Sequence, residues 1–157
     1  HLVLTSLHTN DAIGAIQRLR EMGLENYAIA AGMVGVISQR LVRRLCPVCA
    51  KEERPSPHVM EQLALIEVLP RDFKGVLKKA HGCETCGGTG YRGRVAIFEL
   101  LVADDGLRQQ IMDDAGQFKL REAALKGAFV PMERYSHHVL TQGLTTPEEI
   151  LAIHAGA

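Results

Sequence analysis

Four cysteines, arranged as two C-x-x-C pairs, constrain this sequence more strongly than any other feature. One pair is Cys46 and Cys49, the other is Cys83 and Cys86, and together they are all the cysteines of the chain. Two residues between ligands let a tight turn present both thiolates to one metal ion, and two such turns complete the tetrahedron of a structural zinc site. The spacing therefore predicts one zinc ion with four ligands: Cys46, Cys49, Cys83 and Cys86.

Three other interpretations of the cysteines stay open. The first pair, Cys-Pro-Val-Cys, has the letters of a redox dithiol, although that motif lies at the start of a helix that follows a strand. Two disulfides would require an oxidising compartment, whereas the sequence shows no secretory signal. The segment from Cys83 to Gly90 looks like one repeat of the zinc-binding region of J-domain co-chaperones, a family that uses four such repeats. We favour zinc because both pairs then serve one site.

The composition excludes two classes of protein. Eighteen basic residues balance eighteen acidic ones and only 4% of the residues are aromatic, so the chain lacks the overall basic character of a nucleic-acid binder. Its apolar runs are far shorter than the ~20 residues that cross a membrane as a helix. A metal held by reduced thiols favours the cytoplasm. We therefore expect a cytoplasmic protein that binds no nucleic acid.

The first residues have the pattern of a strand followed by a loop and a helix. The segment His1–Leu7 predicts a short apolar strand, and residues 8–11 supply caps for a helix that ends at Gly23. In α/β proteins such a loop is where a phosphate or a charge-sensing side chain is placed. Because the chain starts inside the apolar run without an initiator Met, we expect it to be a fragment of a longer protein.

The rest of the chain predicts further strands and helices in alternation. We expect a helix capped by Asn26, a strand over 36–45, a helix that begins at Pro55-Ser56-Pro57, and a strand or hairpin over 91–101. Four more helices are predicted, one beginning at Asp104, one over 117–126, one over 131–142, and one beginning with a Thr146-x-x-Glu149 capping box. This order indicates the end of an α/β domain followed by a small helical domain.

Five strings in register resemble one known family. They are residues 2–11 (LVLTSLHTND), 38–49 (SQRLVRRLCPVC), 83–94 (CETCGGTGYRGR), 99–101 (ELL) and 143–149 (GLTTPEE). The first closely resembles the His box of the type II secretion and type IV pilus assembly ATPases, and the resemblance extends over essentially the whole chain. The retraction-type members of this family lack the tetracysteine, so its presence points to the assembly or secretion branch.

The resemblance implies a division of the chain into three parts. Residues 1–45 are expected to be the C-terminal half of a RecA-like P-loop ATPase domain, and residues 46–94 a zinc-binding tetracysteine subdomain. Residues 95–157 are expected to be a strand that returns to the core and a C-terminal helical subdomain. The whole protein is expected to be a cytoplasmic homo-hexameric motor, peripheral to the bacterial inner membrane, that hydrolyses ATP with Mg2+ against an inner-membrane platform protein.

The resemblance also assigns roles to individual residues. It implies that His8 lies near the γ-phosphate of ATP, and that Thr9 and Arg40 contact the nucleotide. The pattern alone favours a helix-capping role for His8, and the resemblance reverses that preference. For Arg40, Arg43 and Arg44 the pattern leaves subunit-interface, phosphate-sensing and solvated surface roles open.

One part of the family's machinery does not occur in the 157 residues. The phosphate-binding pattern G-x-x-x-x-G-K-[ST], whose backbone amides and lysine hold the phosphates, is not found in the sequence. We therefore expect the chain alone not to hydrolyse ATP. The alternative function is a non-catalytic zinc-knuckle interaction module, chaperone-like or adaptor-like, for which the cysteines alone would suffice.

Overall fold

The computed structural model describes residues 1–155 and has a mixed α/β fold, which confirms the class predicted from the sequence. The helices are α1 (Ala12–Glu21), α2 (Asn26–Gly32), α3 (Pro57–Leu65), α4 (Asp105–Met112), α5 (Gln117–Lys126), α6 (Met132–Thr141) and α7 (Pro147–Ala155). The strands are β1 (Gly35–Leu45), β2 (Lys51–Glu53), β3 (Leu77–Lys79), β4 (Tyr91–Val102) and β5 (Phe129–Val130). None of the helices among the described residues combines the length and apolar character needed to cross a bilayer.

The strands form two sheets, and the chain divides into two compact units. One sheet has the order β1-β4-β5, and the other is an antiparallel ribbon of β2 and β3. The first unit consists of residues His1–Ser38 and Glu99–Pro131, and the second of Gln39–Phe98 and the chain from Met132 onward. These units are discontinuous in sequence, whereas the ranges 1–45, 46–94 and 95–157 follow the chain, and those ranges stay a prediction.

The first unit has an apolar core of its own. Helix α1 places Ile13 and Ile16 three residues apart on one buried face, and α4 does the same with Leu107 and Ile111 four residues apart. The core consists of apolar residues from α1, α2, α4, α5 and two strands: Ala12, Ile13, Ile16, Ile29, Ala30, Leu101, Leu107, Ile111, Ala115, Leu120, Ala124 and Phe129.

Arg20 on α1 binds the end of a neighbouring helix. Its guanidinium donates to the backbone carbonyls of Ile111 at 3.2 Å and Ala115 at 2.9 Å, where α4 ends, and to the side-chain oxygen of Asn26 at 2.8 Å. The last carbonyls of a helix have no partner within the helix and carry its negative end. Arg20 therefore adds a charged donor to carbonyls at and just after the end of α4.

Arg108 on α4 has the same role at another helix end. It donates to the carbonyl of Ala30, and to the carbonyl of Met33 at 2.9 Å, where α2 ends. Each arginine thus reaches from its own helix to the C-terminus of a different one. The two side chains therefore fix α1, α2 and α4 to one another in addition to the apolar core.

The second unit has a separate core that lies beside the β2-β3 ribbon. Its apolar residues come from the end of β1, the segment between the cysteine pairs, β4 and the last two helices: Val42, Leu63, Val68, Leu69, Leu77, Ile97, Met132, Val139, Leu140 and Ile150. Helix α3 is capped by Ser56, which accepts from the Val59 N–H at 3.3 Å, and Pro57 occupies its first turn as predicted.

Four helix boundaries with a local signal agree with the sequence predictions. Asp11 accepts from the Gly14 N–H at the start of α1, and Gly23 has a φ of 87° just after its end. Asp104 accepts from the Leu107 N–H at 2.9 Å at the start of α4. Helix α5 ends at Lys126, directly before Gly127, as the pattern predicted.

Two predictions about the first residues are wrong. The segment His1–Leu7 is not a strand, and the Leu4 side chain is 90% exposed. A strand needs a neighbouring strand to satisfy its backbone, and none of the described residues pairs with this segment. Asn26 is not the cap of α2 either: Glu25 holds that position, while the Asn26 side chain binds Arg20 and Asp114.

We predict that Arg20→Ala destabilises α4 by about 1–3 kcal/mol, because the variant leaves buried helix-end carbonyls without a charged donor. The measurement is hydrogen–deuterium exchange of the α4 amides. Arg18→Ala is the matched control on the same helix, since Arg18 is 53% exposed and forms a surface ion pair with Glu21. Equal losses of protection in the two variants would contradict the role assigned to Arg20.

Candidate metal centre

The fold brings the four cysteine sulfurs together. Their Sγ atoms all lie within 4.8 Å of one another. The Sγ–Sγ distance is 4.0 Å between Cys46 and Cys83, 3.8 Å between Cys49 and Cys86, and 3.8 Å between Cys83 and Cys86. A tetrahedral site with zinc–sulfur bonds of about 2.3 Å separates its sulfurs by about 3.8 Å. The arrangement therefore fits a four-coordinate metal ion, as the sequence predicted.

The cysteines are thiols in a partly enclosed site. None of the four is in a disulfide, and the distances of 3.8–4.0 Å exceed a disulfide bond of about 2.05 Å. Cys46 and Cys49 are buried, whereas Cys83 and Cys86 are partly exposed. Four sulfurs complete a tetrahedron and leave no position for a substrate, so the geometry is that of a structural site.

Both cysteine pairs lie next to the same end of the β2-β3 ribbon. In that ribbon Lys51 pairs with Lys79 and Glu53 with Leu77. Cys49 lies shortly before β2 and Cys83 shortly after β3. Because the two strands are antiparallel, the chain returns at the end of β3 to the neighbourhood of Cys49. The 33 residues between the pairs therefore do not hold the sulfurs apart.

Backbone N–H groups point at the sulfurs of the second pair. The Cys86 Sγ accepts from the N–H of Cys83 and from the N–H of Gly90, each at 3.2 Å. Burial raises the pKa of Cys86, but these two donors together with the thiols of Cys83 and Cys49 outweigh burial and lower that pKa to about 6. The N–H of Cys86 in turn lowers the pKa of Cys83. The turn thus favours the thiolates that bind a metal.

Cys49 has the opposite preference. Burial is the main cause that raises its pKa, to about 11. A metal cation reverses this preference because it deprotonates the thiol that it binds. The cluster therefore combines thiols that are readily deprotonated with one whose deprotonation requires the metal.

Gly90 allows the second turn to close. Its φ is 78°, a left-handed conformation that side chains disfavour, and a Cβ at this position would lie 2.6 Å from the Cβ of Ala80. Glycine is therefore required both by the backbone conformation and by the space available. The same residue donates the N–H that stabilises the Cys86 thiolate.

Residues next to the two cysteine pairs form hydrogen bonds with each other and with the segment before α7. The N–H of Cys46 donates to the Gly90 carbonyl at 2.9 Å. This hydrogen bond joins the two C-x-x-C turns, which we call the knuckles. One residue earlier, the Leu45 N–H donates to the Leu144 carbonyl at 2.9 Å. The Thr145 hydroxyl donates to the Arg43 carbonyl at 2.8 Å. The metal centre is thus connected through backbone hydrogen bonds to the start of the last helix.

Arg43 completes this connection with its side chain. Its guanidinium donates to Glu149 Oε1 at 2.7 and 3.0 Å, and its backbone N–H donates to Glu149 Oε2 at 2.8 Å. The guanidinium also lies 4.1 Å from the centre of the Tyr91 ring, and the Tyr91 hydroxyl is 3.1 Å from the Thr146 hydroxyl. Burial raises the pKa of Glu149, but its hydrogen bonds with Arg43 outweigh burial and lower it.

These contacts give two residues structural partners that the sequence did not predict. The Arg43 side chain is 59% exposed, binds Glu149 and stacks on Tyr91, and its interface, phosphate-sensing and surface roles stay predictions. Glu149 was predicted to close a capping box on Thr146, whereas both of its oxygens accept from Arg43. The sequence offered no signal for this pair, since 106 residues separate its members.

The residues predicted to contact a nucleotide lie elsewhere. His8 is exposed in the loop before α1, and the Thr9 hydroxyl donates to the Asp11 carbonyl at 3.1 Å. Both belong to the first compact unit. Arg40 belongs to the second unit, is half-buried on β1, and donates to the Gln39 carbonyl at 3.3 Å. Their roles toward ATP stay predictions.

Glu99 is a buried charged residue to which the sequence assigned no function. It is 4% exposed on β4, and its Oε1 accepts from the Ala12 N–H at 2.8 Å. The signal in the sequence was an acidic residue two positions after Ile97 and two before Leu101, which places all three on the same buried face of the strand. That pattern marks a carboxylate with a partner inside the protein.

Comparison with known proteins gives matches over nearly all of the chain. Residues 1–152 match the family described as Type II/IV secretion system protein. The chain is 46% identical to the Type IV pilus assembly ATPase PilB of Thermus thermophilus, over 97% of this chain and 17% of that protein. It is 37% identical to the Type IV pilus assembly ATPase PilB of Myxococcus xanthus, over 96% and 26% respectively.

A relative named for the secretion branch matches equally well. The Type II secretion system ATPase E of Vibrio cholerae is 38% identical over 98% of this chain and 29% of its own length. The chain therefore spans less than a third of the length of each of these relatives.

We predict that metal removal loosens the start of α7. If the closed knuckles hold Arg43 and Tyr91 in place, a chelator will increase hydrogen exchange at residues 43–46, 90–91 and 144–149. We expect roughly tenfold faster exchange there, which corresponds to about 1.4 kcal/mol, and little change in α1. Re-addition of zinc should restore protection. A uniform increase along the chain, or none at 144–149, would contradict the connection.

Proposed function

Because the chain belongs to the Type II/IV secretion system protein family, we propose that it is the metal-binding part of an ATPase for type II secretion or type IV pilus assembly. The observation that carries this proposal is the match over residues 1–152, which includes both the cysteine cluster and the loop around His8. The relatives that the chain resembles are named as ATPases of both systems, so we leave the choice between the two systems open.

The metal of this part is proposed to be zinc. Thiolates are soft ligands, and a tetrahedron of four of them is typical of zinc or of iron–sulfur chemistry. The sulfur spacing fits a single ion, and the N–H groups of Cys83 and Gly90 support the thiolates. A bound zinc ion would supply a rigid cross-link between the two knuckles. Its function would be structural, because four protein ligands leave no open position.

The proposed catalytic group of the chain is His8. It lies directly before α1, whose N-terminal amides carry partial positive charge, and an exposed imidazole there is free to approach a ligand. In the proposed RecA-like domain it would donate a hydrogen bond to charge that develops on the terminal phosphate of ATP. Thr9 and Arg40 are proposed to contact the same nucleotide.

The remaining parts of the machine are proposed to lie outside this chain. Its sequence has no G-x-x-x-x-G-K-[ST] phosphate-binding loop, and the relatives are more than three times as long. We therefore propose that the chain alone does not hydrolyse ATP with Mg2+. The intact protein is proposed to act as a cytoplasmic homo-hexamer against an inner-membrane platform protein, with the C-terminal helices as a subdomain.

We predict about one zinc ion per chain in protein purified without added metal, because four thiolates complete the site. Elemental analysis measures the content. Cys83→Ser should lose most of the metal, whereas His81→Ala, a change at an exposed histidine two residues away, should retain it. Iron in place of zinc, or full metal content in Cys83→Ser, would contradict the assignment.

We predict that His8→Ala in the intact protein lowers ATP turnover by ~10²–10³, the typical effect of removing a preorganised hydrogen-bond donor. Zinc content and melting temperature should stay near those of the parent protein. His58→Ala, a change at an exposed histidine of α3, is the control and should retain turnover.

Two outcomes would argue against this function. A lowered melting temperature with unchanged turnover in His8→Ala would make His8 a capping residue. An intact parent protein that binds zinc but does not hydrolyse ATP would favour the non-catalytic zinc-knuckle module.

A further inference from the structure

Glu99 is a carboxylate that the fold buries inside the first compact unit. It lies on β4 between the fully buried side chains of Ile97 and Leu101, and it is itself 4% exposed. An ionised carboxylate is unfavourable in such a place unless it accepts hydrogen bonds. One of its partners therefore shows what the buried carboxylate does.

That partner is the first amide of α1. The Ala12 N–H donates to Glu99 Oε1 at 2.8 Å, and Ala12 is fully buried. The first N–H groups of a helix have no acceptor within the helix and form its positive end. Glu99 thus holds the start of α1 against β4, although 87 residues separate it from Ala12.

The helix does not need Glu99 in order to begin. Asp11 already caps α1, because its side chain accepts from the Gly14 N–H at 2.5 Å. The Thr9 hydroxyl donates to the Asp11 carbonyl and stabilises the same turn. A local cap of this kind stabilises a helix start by about 1 kcal/mol. What Glu99 adds is a fixed position of the helix start relative to the sheet.

The position of Ala12 determines the position of the loop that precedes it. His8 lies four residues before Ala12, and the residues between them form the capped turn. We propose that Glu99 is a positioning residue for His8, which it holds at the sheet through the N-terminus of α1. This inference rests on the proposed role of His8 in ATP hydrolysis. It adds a residue that is not itself a proposed nucleotide contact and that acts through the helix start.

The experiment compares variants of Glu99 in the intact protein. Glu99→Ala removes the acceptor, whereas Glu99→Gln retains a side-chain oxygen that accepts from the Ala12 N–H. A displacement of about 1 Å in a catalytic group costs up to ~10²-fold in rate. We therefore expect Glu99→Ala to lower kcat by roughly tenfold to a hundredfold, and Glu99→Gln to recover most of the loss.

Three further measurements separate positioning from general stability. Affinity for a fluorescent ATP analogue should change little, because Glu99 is not a proposed nucleotide contact. Hydrogen exchange should increase at residues 12–14 in Glu99→Ala and less in Glu99→Gln. Glu122→Ala is the control, since Glu122 is an exposed carboxylate of the same unit, paired with Lys126, and should retain parental kcat.

The outcomes distinguish this inference from the proposed function. If His8→Ala lowers turnover but Glu99→Ala has parental kcat per folded molecule, Glu99 is only structural and the inference is wrong. If the parent protein does not hydrolyse ATP, or if His8→Ala retains parental turnover, the proposed function fails. The inference then fails with it. If Glu99→Ala does not fold, Glu99→Asp decides. Its shorter side chain should lower kcat in a folded protein, and parental kcat in that variant would overturn the inference.

Discussion

The need to bring four sulfur atoms to one point governs the second unit of this protein. The sulfurs belong to two turns, and each turn lies at an end of a long strand or of the short ribbon between them. When the turns meet, the end of β1 and the beginning of β4 are fixed side by side by the Cys46–Gly90 backbone hydrogen bond. The Leu45 N–H then donates to the Leu144 carbonyl before α7. The Arg43 side chain, which stacks on Tyr91, binds Glu149 in α7. A local metal-binding geometry thereby becomes a constraint on a helix more than 50 residues further along the chain.

Features with a local cause were predictable from the sequence. The cysteine ligands follow from two C-x-x-C spacings, and the starts of α1 and α4 follow from Asp11 and Asp104, whose side chains accept from amides three residues ahead. Helix α5 ends before Gly127 for a similar reason. In each case the partner is a few residues away, so the pattern contains both members of the interaction.

Features with a distant partner were not predictable. The apolar segment at the N-terminus has the letters of a strand, but a strand exists only where another strand satisfies its backbone. Asn26 has the chemistry of a helix cap, yet Arg20 competes for its oxygen. Glu149 and Glu99 are ordinary acidic residues in the sequence, and only the fold shows the partners that make them structural. The family resemblance supplied the expected chemistry of His8, which spacing alone left open.

The close approach of Gly90 to Ala80 has a consequence for how this chain can vary in evolution. A Cβ at position 90 would lie 2.6 Å from the Ala80 Cβ and 3.0 Å from both the Ala80 Cα and the His81 nitrogen, so glycine is required at position 90 and the Ala80 methyl group lies close to it. Drift at these two sites is therefore expected to stay confined to the smallest side chains for as long as the metal turn is under selection. Selection on the metal turn would then also limit variation at Ala80 and Gly90, which are not metal ligands.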